Sequence, residues 1–391
     1  MRVRYGMVGG GPGAFIGAVH RMAAALDGAY ELVAGAFSAD RARSREMGTE
    51  LGLDPGRVYG SYEEMADAEA ALPPSERIEA VSIVTPNHLH HAVAKAFLGH
   101  GVHVICDKPL TTTLDDAEDL CRIAARRDLR FAVTYNYTGY PMVKEARERV
   151  AAGELGELRK VVVEYSQGWL ATALEAAGQR QAEWRTDPER AGPSSALGDI
   201  GSHAHNLVRY VTGLEVERLF ADLGTVVEGR RLEDDATVLL ELGGGVRGLL
   251  FVSQIAAGER NHLRLRVYGS VRGLDWSQEA PNEVRLLDAD GSTRALQRGG
   301  DGLSKRAQAH TRLPAGHPEG FIEAFANIYR NIAFSLRPSG GASDDSRHAF
   351  AADYPTVQDG AHGVHFIESA LESGATGGWV DATYTPPGAG R

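Results

Sequence analysis

A glycine-rich turn closes the first apolar run of the chain, and it constrains the fold more than any other segment. Val3–Val8 reads as a buried strand, and Gly9-Gly10-Gly11-Pro12-Gly13-Ala14-Phe15-Ile16-Gly17 follows it directly. Ile16–Leu26 then carries helical spacing, and Glu31–Phe37 reads as a second strand. Glycines at such a strand-to-helix turn let the backbone bend sharply and approach a pyrophosphate, while the helix start offers unpaired N–H groups to phosphate oxygens. The spacing reads as GxGxxA from Gly9 or as GxGxxxG from Gly11. Gly9, Gly11, Gly13, Ala14 and Phe15 are therefore the expected dinucleotide contacts.

The alternation continues. Ala80–Val84, Val102–Cys106 and Arg130–Tyr135 are short apolar runs, separated by helical stretches such as His91–Gly99 and Leu114–Arg127. Apolar strands alternating with helices predict an α/β, doubly wound parallel sheet over residues 1–138. Beyond it the pattern changes. Arg159–Ser166, Ala236–Leu242, Val246–Ser253 and Leu263–Tyr268 are longer and alternate, which suits antiparallel pairing. Residues 139–391 are thus expected to form a second, α+β domain. Glu319–Leu336 and Val357–Ser373 read as helices that pack on it or on the first domain. Gly168–Ser195 is polar and irregular, suited to covering a site, and Arg337–Tyr354 reads as a surface loop.

Composition narrows the class. A formal net charge of −11 argues against a nucleic-acid surface as the main partner. Two cysteines, Cys106 and Cys121, suggest neither a disulfide scaffold nor a four-ligand zinc site. No apolar run is long enough to span a bilayer and no signal segment precedes the first strand, so the cytoplasm is the expected compartment. The pairs His88/His91, His362/His365 and His203/His205 lack a completing carboxylate or cysteine set, so no metal is expected.

The second strand ends at Phe37-Ser38, where an NAD enzyme usually has an acidic residue for the ribose hydroxyls. Ser38, Arg41 and Arg43 follow and suit a 2′-phosphate, so the reading is NAD or NADP, with NADP favoured. Three further strand ends are polar: Thr85-Pro86-Asn87-His88-Leu89-His90, Asp107-Lys108-Pro109 and Asn136-Tyr137. In a parallel sheet these ends share one edge, where ligands bind. Lys108, fixed between an apolar strand and a proline, suits stabilising negative charge on a reacting oxygen. Asp199 and His203 lie four apart at the start of an expected helix that Gly213 would end. They share a face, the imidazole suited to proton transfer and the carboxylate to orienting it.

In order and spacing these segments, with Trp184-Arg185 and Gly198-Asp199-Ile200-Gly201-Ser202-His203, resemble the Gfo/Idh/MocA oxidoreductases, named for glucose–fructose oxidoreductase and inositol dehydrogenase. The resemblance implies a Rossmann domain followed by an α/β domain with an open, mostly antiparallel sheet. It implies NAD- or NADP-dependent hydride transfer on a secondary hydroxyl of a sugar, sugar derivative or inositol. Lys108, Asp199 and His203 would be catalytic, and pairing as a homodimer or homotetramer is expected. Thr85, Asn87, His90, Asp107 and Asn136 would position the cofactor, with Trp184 and Arg185 closing over it. The sequence departs from the family where Asp107 replaces a glutamate and where Asn206 stands three after His203 in place of an aspartate. A non-catalytic dinucleotide-binding regulator of the same fold is the alternative reading.

Overall fold

The computed structural model describes residues 2–337 and 349–388. Most of the loop expected at 337–354 therefore lies outside the described residues. Two sheets organise the chain. The first contains β1 (Val3–Gly9), β2 (Tyr30–Ala36), β3 (Ala80–Val84), β4 (His103–Cys106) and β5 (Phe131–Val133), all parallel, in the order β2-β1-β3-β4-β5. Strand order reverses between β1 and β3, the place where open α/β sheets form a ligand crevice. The strand expected at Arg130–Tyr135 is shorter: Thr134 leaves the sheet to line the crevice, and Tyr135 turns into the core.

The second sheet has nine strands. They are β6 (Leu158–Ser166), β7 (Val216–Gly224), β8 (Asp235–Leu242), β9 (Val246–Ser253), β10 (His262–Gly269), β11 (Arg272–Ser277), β12 (Glu283–Asp288), β13 (Thr293–Gln297) and β14 (Val380–Asp381). Their order is β13-β12-β11-β10-β6-β9-β8-β7-β14. Among the described residues only the β6–β9 pair of this sheet is parallel, so the sheet is mostly antiparallel, as the alternating patterns predict. The alternating burial of β8 and β10 places Val238, Leu240, Leu263 and Leu265 in the core under the helix Ser202–Thr212.

Two late helices join the halves. Phe325, Ile328, Tyr329 and Ile332 of the helix Phe321–Leu336 pack with Val3, Tyr5, Val19 and Ala23 of the first domain. Val357, Ala361 and Val364 of the helix Val357–Thr376 enter the core of the parallel sheet, whereas Phe366, Ile367 and Ala370 enter that of the large sheet. One helix thus buries its first half in one domain and its second half in the other, which holds the two sheets together.

A buried polar triad ties the returning helix to the parallel sheet. His20 Nδ1 lies 2.8 Å from the Tyr329 hydroxyl and 3.2 Å from Ser82 Oγ, and those two hydroxyls are 2.9 Å apart. Burial lowers the His20 pKa to about 4, with Asp107 opposing the shift and Arg21 adding to it. The unfolded chain takes up a proton below pH about 6.5 while the native ring stays neutral, so stability falls as pH falls. Urea unfolding followed from pH 7 to pH 4 is expected to lose about 3 kcal/mol through His20 alone. A His20→Gln variant should show a correspondingly shallower acid slope.

Candidate active site

The glycine turn opens onto a cleft along the carboxyl ends of the parallel strands. Its cavity, about 1580 Å³, runs from Gly9, Gly10, Pro12 and Gly13 past Thr85, Asn87, Asp107 and Lys108 to Asp199 and His203 of the second domain. The turn is built for close approach. Gly9 and Gly13 have φ of 87° and 79°, and a Cβ on Gly13 would meet open space. Gly11 has a different duty. A Cβ there would sit 2.8 Å from the Phe37 carbonyl oxygen, so this glycine allows the turn to pack against the end of β2 and does not itself line the cleft. The helix Phe15–Leu26 begins after Ala14 with no side-chain cap, leaving its first N–H groups to the cleft end. Ala14 and Phe15 both line the cavity.

A dinucleotide fits this surface on internal grounds. Thr85 Oγ1 and Asn136 Nδ2 are buried without a hydrogen-bond partner, and both residues line the cavity beyond the glycine turn. Buried polar atoms in native proteins are rarely left unpaired unless a ligand or water completes them. Asn87 lines the cavity as well, and its amide donates to the Ala191 carbonyl (3.0 Å), fastening the covering segment of the second domain to the first.

Besides Gly11, two further expected cofactor contacts lie outside the cleft lining. His90 is fully buried and outside the cleft. Its Nδ1 and Nε2 lie 2.8 and 3.0 Å from the carbonyl oxygens of Pro109 and Thr85, so it ties the loops after β3 and β4 together. Arg41 is also outside the cleft lining, with its guanidinium 2.6 Å from Glu64. Arg43 donates to the Pro12 carbonyl (3.2 Å). The cavity end beyond β2 is lined by Phe37, Ser38, Ala39 and the segment Gly60–Glu63. Ser38 alone of the group expected to meet a 2′-phosphate faces it. Asn206 is buried on another face of its helix, lining a separate cavity of about 460 Å³ with Arg147 and Arg209.

At the other end, Lys108, Asp199 and His203 meet. Lys108 Nζ donates to Asp199 Oδ1 at 2.6 Å and to the Asp199 carbonyl at 2.7 Å. Arg185 Nε and Gln254 Nε2 donate to Asp199 Oδ2 at 3.0 and 2.9 Å. Burial works against ionisation of Asp199, but Arg185 and Lys108 outweigh it and hold the carboxyl well below the usual range. His203 stands in an aromatic cage, with ring centroids of Tyr137 and Tyr135 at 4.8 and 5.7 Å, and its Nδ1 has no hydrogen-bond partner. Burial, reinforced by Lys108 and opposed by Asp199, pushes its pKa well below the ordinary imidazole value. The imidazole is therefore neutral around pH 7 and able to accept a proton.

Local structure fixes this set. Asp199 lies in a wide turn, Leu197–Gly201, with π-helical bonding, and the regular helix Ser202–Thr212 begins only after it. The sequence reading placed Asp199 in the regular helix; the extra residue per turn re-aims its side chain and carbonyl at Lys108, a common use of π-turns. Glu233 holds the start of the turn, accepting from Ser194 Oγ and from the N–H groups of Ser195 and Leu197. Gly213 ends the helix at φ 70°, as expected. On the other side, Asp107 Oδ1 accepts from the Lys108 N–H and from Thr134 Oγ1, both at 2.9 Å. The shorter acid thus folds onto its own loop and braces Lys108.

Tyr165, Gln167, Gln254 and Asn261 are lining or supporting residues that no local sequence pattern singles out, and they gather around Tyr137. The Tyr137 and Tyr165 hydroxyls are 2.5 Å apart, and Asn261 accepts from Tyr165 (2.7 Å) and Gln167 (2.7 Å). Register brings them together. Ser166 of β6 pairs with Ser253 of β9 and His262 of β10, so Gln167, Gln254 and Asn261 emerge at one sheet edge.

Such a cleft defines a nicotinamide-dependent oxidoreductase: a dinucleotide cradle at one end, and at the other an ammonium, a carboxylate and a neutral imidazole around one small space. Comparison with known proteins agrees. The model of an oxidoreductase family with an NAD-binding Rossmann fold matches residues 3–135, and that of the GFO/IDH/MocA C-terminal domain matches residues 143–274. The chain belongs to the GFO/IDH/MocA family and is an NAD-binding oxidoreductase. It is 34% identical over 383 residues to the uncharacterized oxidoreductase YfiI of Bacillus subtilis, covering 97% of this chain and 96% of that one. Its structure resembles an inositol dehydrogenase homolog from Azotobacter vinelandii complexed with NAD+, with a TM-score of 0.91, 38% identity and 97% of each chain covered. The complex of such a homolog with NADH and myo-inositol gives a TM-score of 0.88 at 37% identity, covering 97% of this chain and 98% of that one.

Proposed function

We propose that the protein oxidises a secondary hydroxyl of a neutral polyol ring, of the inositol or sugar class, with NAD as acceptor. In this reading residues 1–138 hold the cofactor and the rest of the chain supplies the substrate wall. The observation that carries it is the Lys108–Asp199 contact across the domains, 2.6 Å long, in the cleft that His203 also lines. An ammonium has three N–H donors. Two are spent on Asp199, and the third is left for the reacting oxygen.

Bound NAD supplies the acceptor for the hydride that leaves the carbinol carbon. His203 takes the hydroxyl proton onto its neutral ring as the carbon–oxygen bond becomes a carbonyl. Lys108 donates its third N–H to the oxygen as negative charge develops there. Asp199, held ionised by Arg185 and Lys108 against its burial, keeps Lys108 aimed. Gly13, Ala14 and Phe15 would hold the pyrophosphate end, and Thr85, Asn87 and Asn136 the nicotinamide half. Tyr137, Tyr165 and Asn261 offer uncharged donors and acceptors to the remaining ring hydroxyls. The Azotobacter vinelandii homolog's complex with myo-inositol supports that substrate class.

NAD is preferred over NADP in this reading. Arg41 is engaged by Glu64, and Glu63 presents a carboxylate at the cavity end where a 2′-phosphate would sit. Absorbance of reduced nicotinamide, followed with myo-inositol, levoglucosan and D-xylose in turn, tests both points. Turnover with at least one polyol is expected, with kcat/KM for NAD at least about tenfold above that for NADP. Tight NAD binding without turnover on any of the three would instead favour a dinucleotide sensor.

A further inference from the structure

The covering segment contributes a residue whose geometry points to a duty other than touching the cofactor. Arg185 ends the short helix Arg180–Arg185. Its guanidinium lies 4.2 Å from the Trp184 ring centroid and 5.8 Å from that of Trp169, and donates to Gln181 Oε1 at 2.7 Å. Those contacts fix its plane, and Nε reaches Asp199 Oδ2 at 3.0 Å. The two carboxylate oxygens are therefore divided between two cations. Lys108 holds Oδ1, and Arg185 holds Oδ2 together with Gln254.

We propose that Arg185 is a positioning residue that restrains one oxygen of Asp199 so that Lys108 keeps an N–H free for the substrate hydroxyl. This rests on the catalytic reading given above. With Arg185 removed, Oδ2 is held by the neutral Gln254 amide alone. A carboxylate so released turns toward the stronger donor, and a two-oxygen contact with the ammonium uses the N–H that the reaction needs. Arg185 also keeps Asp199 ionised, so its loss moves protonation of that carboxylate to higher pH.

The test compares Arg185→Gln and Arg185→Lys in the full chain, each first checked for an unchanged melting profile. Arg185→Gln is expected to lower kcat for myo-inositol, or for whichever polyol the unaltered chain oxidises, by about 10- to 100-fold. The acid limb of its kcat profile should move to higher pH, and Arg185→Lys should restore much of both. The dissociation constant for NAD, measured at equilibrium without substrate, should stay within about twofold. A crystal structure of Arg185→Gln should show both Asp199 oxygens within about 3.2 Å of Lys108 Nζ. An unmoved Asp199, an unshifted acid limb, or weakened NAD binding with kcat intact would each overturn the proposal. A chain that oxidises no polyol at all refutes the catalytic reading instead, and the variant's structure then still decides the geometry of Asp199.

Discussion

Lys108→Met lowers kcat for polyol oxidation by about 10³-fold while leaving NAD binding close to that of the unaltered chain. The size follows from what is lost. A single donor aimed at a developing oxyanion is worth about 10²–10³ in rate, and here the same group also orients the hydroxyl for proton transfer. The fold should tolerate the change. Asp199 keeps Arg185 and Gln254 on Oδ2, so no buried charge is left alone, and methionine replaces the aliphatic stem of the lysine. Stopped-flow or steady-state turnover beside an NAD binding isotherm separates the two effects. Loss of NAD binding with little loss of kcat would move Lys108 from the reacting end of the cleft to the cofactor end.

His203→Gln is the second large loss, about 10²–10⁴-fold in kcat, the usual contribution of a positioned base. Its signature is in the pH dependence. Burial and the Lys108 charge hold the ring neutral well below its ordinary pKa, against the pull of Asp199. The base is thus already unprotonated at pH 7, and turnover of the unaltered chain should change little from pH 8 down to about pH 6. In the variant, solvent base must take the proton, so the residual rate should climb about tenfold per pH unit. Glutamine fills most of the ring's space inside the cage of Tyr135, Tyr137 and Tyr165, which keeps the structural cost small. A variant whose residual rate is independent of pH would assign the proton to another group.

Much of this site could be read in advance, for a physical reason. Each strand of the parallel sheet is a short apolar run that stops at polar residues, and parallel topology gathers those stops at one edge. That logic reaches Thr85, Asn87, Asp107, Lys108 and Asn136 without coordinates, and all five line the cleft. It fails where position depends on tertiary direction. Arg41 follows β2 as a phosphate-binding arginine would, but Glu64 of the helix Tyr62–Ala71 draws it aside. His90 sits in the same polar run as Asn87, yet one further turn of chain points it into the protein. The wall formed by Tyr165, Gln167, Gln254 and Asn261 depends on pairing between strands far apart in the chain, and no local pattern reports that pairing. The outer strands β12 and β13 were also missed. β13 is almost wholly exposed, and β12 buries only Val284 and Leu286, so Glu283–Asp288 and Thr293–Gln297 are too short and too charged to stand out as strands.

The central claim is that an ammonium from the parallel-sheet domain and an imidazole from the other meet at one substrate oxygen. A crystal structure of the complex with NADH and myo-inositol, or another polyol that the protein oxidises, measures this directly. One ring hydroxyl should lie within about 3.2 Å of both Lys108 Nζ and a His203 ring nitrogen, its carbon facing the nicotinamide. A polyol bound with its nearest hydroxyl on Lys108 alone, and His203 separated from it by the Tyr137 ring, would contradict the account.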